Sequence, residues 1–169
     1  MNGTRRATQT ERDGASKLQS RAQAPAALTL SVQYGIVADG LPSRQRLRAW
    51  AKATLLNDAQ VTLRLVGARE GRKLNRNFRG RDYATNVLTF AYADIAPLCG
   101  DIVLCVPVVM REARTQHKPV DAHYAHLVVH AMLHLQGFDH ENHDDAQAME
   151  ALEAEIVMKL GYAHPYREP

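Results

Sequence analysis

Long apolar runs, a cysteine framework and a continuous apolar segment near Met1 are all missing from this sequence. No apolar stretch approaches the ~20 residues that a bilayer-spanning helix needs, so no membrane partner is expected. The N-terminus carries no continuous apolar segment of signal-peptide length, which leads us to expect a cytoplasmic protein. Cysteines number two, Cys99 and Cys105. They show neither CxxC spacing nor a disulfide framework, and they read as core residues of a reducing compartment. Aromatic residues are scarce as well: one Trp and three Phe leave the core to aliphatic side chains. At 169 residues the chain has a one-domain length that can bury a real core.

An excess of charge is also missing from the body of the chain. Between Met1 and Ala27, Arg5, Arg6, Arg12, Lys17 and Arg21 face Glu11 and Asp13, giving +3, the net charge of the whole sequence. The basic balance therefore belongs to the tail, and a nucleic-acid argument for the remainder must rest on where charges cluster. Residues 1–27 are rich in Ala, Gln, Arg, Thr and Ser without an apolar period, and we expect a disordered basic tail ahead of a single domain at 28–169.

From Leu28 the pattern becomes ordered. Leu28, Leu30, Val32 and Tyr34 alternate with polar residues, as in a half-buried strand. Ser43 serves as N-cap of a helix to about Leu56, with Leu47, Trp50, Ala51 and Leu55 at helical spacing. Strands are expected at Val61–Val66, Val87–Tyr92 and Gly100–Val106, the last near-continuously apolar and so buried on both faces. Helices are expected over about Glu70–Phe78, Val108–Gln116, Val120–Gln136 and Asp144–Leu160. Gly137 and Gly161 stop the last two. That order predicts an α+β domain: a mixed sheet of about four strands packed with about five helices.

Eight histidines occur, and five of them fall between His126 and His143. The stretch HAMLHLQGFDH places His130 and His134 four apart on a helix, one turn apart on one face. Gly137 ends that helix and lets His140 swing back. Two stacked imidazoles and a third from the turn can meet one ion at ~2.0–2.1 Å, and three His with an open fourth position make a catalytic rather than a structural zinc site. A lone histidine would read as an ordinary core or surface residue; three at this spacing around a helix-ending glycine do not. His126, one turn before His130, is a supporting or surface residue, and His143 is a competitor for the third ligand. Nickel or copper would also suit three imidazoles.

The spacing H-x3-H-x2-G-x2-H is that of the metzincin proteases, which need a Glu directly after the first His as general base. Ala131 stands there and moves no proton, a deficit of typically ~10²–10⁴-fold in rate. The site instead suits a substrate that brings its own nucleophile or needs mainly charge stabilisation, and RNA has its 2′-OH beside each phosphate. A basic segment agrees with an anionic substrate. Arg72, Lys73 and Arg76 form a helical stripe for phosphate contacts, with Arg81 just beyond. Arg79, next to Gly80, is placed to clamp a phosphate bidentately and stabilise developing charge. A solvated helix face is the plainer reading of the stripe.

Taken together, HLVVHAMLHLQGFDH, LNRNFRGRDYATNVLTFAY and GDIVLCV resemble the YbeY endoribonucleases, in the same order and over about Leu28 to Gly161. The resemblance implies one Zn²⁺ on His130, His134 and His140, with Arg79 as the functional arginine of the F/Y-R-G stretch. It also implies single-strand-specific cleavage in maturing the 3′ end of small-subunit ribosomal RNA and in ribosome quality control. Ribosomal proteins and an assembly GTPase would be its partners. Two positions depart from the family pattern: Ala131 replaces the usual Gly, and Phe138 replaces a frequent Tyr, keeping the ring and losing the hydroxyl. Asp139 would either orient a ligand imidazole or cap the following turn. No residue stands out as general base. A zinc-stabilised assembly factor that binds RNA without cutting it, and a metal-dependent hydrolase of peptides or small molecules, fit the same motifs.

Overall fold

Alternation of apolar and polar residues from Leu28 produces the first strand, and the rest of the architecture follows from which faces must be buried. The computed structural model describes residues 24–93 and 96–167, so the first 23 positions of the expected tail lie outside the described residues. Four strands form one sheet: β1 (Leu28–Tyr34), β2 (Ala59–Val66), β3 (Val87–Ala93) and β4 (Leu98–Cys105). Their spatial order is β1-β2-β4-β3. β1 and β2 run parallel, as do β2 and β4, while β3 pairs antiparallel with β4 at the edge. Among the described residues five helices accompany them: α1 (Arg44–Ala53), α2 (Ala68–Arg79), α3 (Val106–Thr115), α4 (Val120–Leu135) and α5 (His143–Lys159). The mixed sheet and helix complement expected for an α+β domain are both present.

Local chemistry sets the helix ends. Ser43 accepts a hydrogen bond from the Arg46 backbone N–H and caps α1, a contribution of about 1 kcal/mol for such a cap. At the other end of α4, Gly137 has φ +93°, and the Phe138 N–H bonds back to Leu133 while Gly137 bonds to His134. That is the reversed turn that satisfies the last carbonyls of a helix, and it favours glycine because a Cβ is strained at positive φ. Gly161 repeats the arrangement after α5, with Tyr162 bonding to Val157 and Gly161 to Met158.

The two sheet faces are covered unequally. Val61, Leu63, Leu65, Ile102 and Leu104 pack against Leu47, Trp50, Tyr124, Val128 and Met132 of α1 and α4, forming the main core. The opposite face carries a smaller cluster, Val66, Leu88, Val103 and Cys105, capped by Leu74 of α2. β4 is thus covered on both sides, as its apolar run predicts, and Cys105 is buried while Cys99 is half-exposed. α4 touches α1, α3, α5, β3 and β4, which makes it the central helix.

Gly100 is where α4 presses hardest on the sheet. A Cβ there would meet Leu135 Cδ2 and the Phe90 carbonyl oxygen, each at 2.7 Å. One of these neighbours is backbone and cannot turn aside. Gly100→Ala should therefore destabilise the fold by about 1–3 kcal/mol, the range for overpacking a tight core. Urea unfolding measures this, and an unchanged midpoint would refute the tight contact.

Candidate metal centre

α4 is apolar nearly all round, and such a helix belongs in the interior. Its histidines at 123, 126, 130 and 134 are the exceptions, and each must find a partner there. Spacing of four stacks the rings of His126, His130 and His134 along one face. Their centroids are 6.5 Å apart for the first pair and 4.5 Å for the second. The turn at Gly137 then returns His140 to within 4.9 Å of His134 and 5.8 Å of His130, ring to ring. One nitrogen from each of His130, His134 and His140 lies within 4.8 Å of the others, and these three could hold a metal ion. His143 begins α5 and lies outside the group.

The donor set fits a divalent ion of borderline softness, because three imidazoles converge with no thiolate among them. Burial first, then the neighbouring rings of His130 and His140, push the His134 imidazole below its ordinary value, which favours the neutral form that ligates. His130 has its Nδ1 occupied, 2.6 Å from Glu153 Oε1, leaving Nε2 as its free nitrogen. The second oxygen of Glu153 lies 2.9 Å from His126 Nε2, and the Tyr166 hydroxyl donates to it as well. Burial alone would raise the Glu153 carboxyl. Hydrogen bonds from His126, His130 and Tyr166 outweigh burial and hold it at about 2. Asp139 makes a local contact: its Oδ1 accepts from the His140 backbone N–H at 2.7 Å.

A cleft of about 540 Å³ opens over the three histidines, walled by Val87, Leu88 and Thr89 of β3 and by Arg79, Arg81 and Tyr83. Arg79 is the last residue of α2, where Gly80 turns the chain at φ +69°. Its Nη2 donates to the Thr89 carbonyl at 3.1 Å, tying the guanidinium to the β3 edge. Asn75, buried on α2, donates to the Tyr83 carbonyl at 2.7 Å and pins the loop that carries Arg81. The rest of the basic stripe is placed differently. Arg72 makes two hydrogen bonds to Asp82, and Arg76 sits 3.8 Å from the same carboxylate. Neither they nor Lys73 line the cleft. The structure thus brings the three histidines and Arg79 to one cleft, while the sequence pattern does not single out Glu153, Tyr166 or Asn75. Glu153 stands 13 to 27 positions from its partners, with no local spacing to betray it.

Deeper along α4, His123 Nε2 lies 2.8 Å from Glu112 Oε2 of α3, and its Nδ1 has no partner among the described residues. Burial lowers the His123 pKa from 6.5, partly offset by Glu112. The unfolded chain therefore takes up this proton first, and stability is complete above the unfolded value and declines as pH drops below it. With chelator present, Tm should fall between about pH 7 and about pH 5, and His123→Gln should flatten the decline. An equally steep profile in the variant would remove His123 as its source.

The chain is similar to known proteins in sequence and in fold. A family model described as Endoribonuclease YbeY matches residues 43–161. A protein of Aromatoleum aromaticum named endoribonuclease YbeY is 57% identical over 142 residues, covering 82% of this chain and 92% of its own. One of the same name from Nitrosomonas eutropha is 53% identical over 137 residues, covering 81% and 97%. In fold, the chain is similar to the solution structure of TM1509 from Thermotoga maritima, with a TM-score of 0.51 at 24% identity, covering 82% of this chain and 99% of that one. The family match includes α2 with its arginine turn, the edge strand β3 and the whole histidine motif, and on that extent the chain belongs to the endoribonuclease YbeY family.

Proposed function

We propose that this protein is a metal-dependent endoribonuclease that cuts single-stranded RNA, with one Zn²⁺ on His130, His134 and His140 and with Arg79 acting on the scissile phosphate. The observation that carries the reading is the shared cleft: Arg79 and Arg81 stand on its wall with the three imidazoles. A bound zinc would supply Lewis acidity towards a phosphate oxygen and lower the pKa of a coordinated water. Arg79 presents a planar fork of donors that can meet two phosphate oxygens and neutralise charge as it builds at phosphorus. Its bond to the Thr89 carbonyl holds the fork in place beforehand, and preorganised donors lose little when the reaction occurs. Arg81 extends the positive wall along the strand.

Arg72, Lys73 and Arg76 supply phosphate contacts away from the cutting point, and Arg72 would exchange Asp82 for a phosphate to do so. Among the described residues lining the cleft, none is a carboxylate. That supports charge stabilisation, with the 2′-OH or a water as nucleophile, over chemistry that needs a carboxylate base. Peptide hydrolysis is disfavoured for the same reason: Ala131 is fully buried in the main core, so the position of a metzincin's base does not reach substrate. Small-subunit ribosomal RNA as the target, its 3′ end as the place of cutting, ribosome quality control, and ribosomal proteins with an assembly GTPase as partners extend the proposal along the family resemblance. Such a substrate places the work in the cytoplasm. No described helix is long and apolar enough to cross a membrane. A folded domain from residue 28 behind a basic tail completes it.

A labelled single-stranded RNA tests the scheme. Cleavage should vanish on chelation, return with zinc, and vanish in His134→Ala. Arg79→Ala should slow cleavage by about 10²–10³-fold, the usual loss for one transition-state donor. RNA binding should weaken steeply with salt. Cleavage indifferent to both chelation and Arg79→Ala would sink the reading; tight zinc binding without any cleavage would make the protein an assembly factor that only binds RNA.

A further inference from the structure

Glu153 is the one acidic residue among those described that is fully buried, at 1% exposure. A carboxylate in that setting is tolerated only when its oxygens are matched by donors. Its donors come from two separate parts of the chain, neither of them its own helix α5. His126 and His130 belong to α4, and Tyr166 to the segment that follows α5. An ionised carboxylate only accepts hydrogen bonds, so each imidazole nitrogen facing it must carry a proton. For His130 that nitrogen is Nδ1, and the lone pair is then left on Nε2. His126, one turn earlier, gives Nε2 to the other oxygen, and the Tyr166 hydroxyl is 3.2 Å from that nitrogen as well.

His126 and Tyr166 both serve one oxygen of Glu153, Oε2. The other oxygen, Oε1, is matched by His130, a member of the convergent triad, and this is the shorter of the two imidazole contacts. Tyr166 lies five positions beyond residue 161, where the family match ends, so that match assigns it no part in the site.

We propose that Glu153 is a positioning residue for the metal centre, holding His130 in the Nδ1-protonated tautomer with Nε2 as ligand, and that Tyr166 locks the carboxylate in that orientation. The inference rests on the reading of His130, His134 and His140 as metal ligands. Through it, the segment after α5 becomes part of the site: its tyrosine fixes an oxygen whose partner oxygen fixes a ligand ring. His134 is held by a backbone hydrogen bond at Phe138, and His140 is exposed with its neighbour Asp139 bonding backbone. His130 is the ligand of the three whose ring is oriented by a buried carboxylate.

Imidazole ¹⁵N NMR on the metal-free full-length protein reads the tautomer directly, and zinc titration against a chromophoric chelator reads affinity. The wild type should show His130 protonated on Nδ1 alone. Glu153→Gln offers one acceptor and one donor where two acceptors stood, so His130 should lose that single tautomer, and zinc should bind about 10–100-fold more weakly. Tyr166→Phe, which keeps the ring, should retain the tautomer and weaken zinc by a smaller factor. A wild-type His130 protonated on Nε2 would overturn the proposal even if Glu153→Gln failed to fold. So would a folded Glu153→Gln with the tautomer and zinc affinity of the wild type. Unchanged zinc affinity in Tyr166→Phe would remove the tyrosine's part. A folded wild type with the expected tautomer but no zinc binding would strike the metal-centre reading itself, an outcome distinct from the others.

Discussion

A buried helix that carries histidines must find hydrogen-bond partners for them, and α4 meets that demand with carboxylates from its neighbours. His123 turns to Glu112 of α3, while His126 and His130 turn to Glu153 of α5. His134 is pushed towards its neutral form by burial and by the rings beside it. Burying an imidazole without a partner is costly, so the packing of α3 and α5 against α4 is also the ordering of the histidine row. The reversed turn at Gly137 completes it, because only a sharp exit from α4 returns His140 to the same face.

The sheet provides the opposing wall. β3 lies at the edge, antiparallel to β4, so its far side is unpaired by other strands and faces the cleft. Arg79 uses that edge, bonding the Thr89 carbonyl from the end of α2. Gly100 in β4 allows Leu135 and the end of α4 to approach the sheet closely. The distance between the arginine wall and the histidine row thus follows from the packing of one helix on one strand. Basic residues outside the cleft are partly spoken for: Asp82 engages Arg72 and Arg76 on the exposed side of α2. Arg79 and Arg81, by contrast, line the cleft beside the imidazoles.

Much of this was legible in the order of residues because the signals are local. Alternation in 28–34, the Ser43 cap, the period of α4 and the glycines at 137 and 161 each act within a few positions, and each element formed where its pattern lies. The triad was legible for the same reason: HxxxH on a helix and a histidine after a helix-ending glycine are short-range geometry. Asp139 shows the limit of such reading. Its neighbours in sequence allowed two roles, and only the folded chain shows its oxygen turned to the His140 backbone.

By itself, then, the sequence determined the elements, the metal-binding pattern, the arginine at the turn and the family resemblance, since these depend on spacing within one or two turns or strands. Tertiary structure decided which charges are free and which are engaged. It paired Arg72 with Asp82, placed Arg79 and Arg81 beside the histidines, and set Glu153 and Tyr166 behind His130. Those relations join residues distant in the chain, and burial decides them: a carboxylate acquires its role from the donors that packing brings to it.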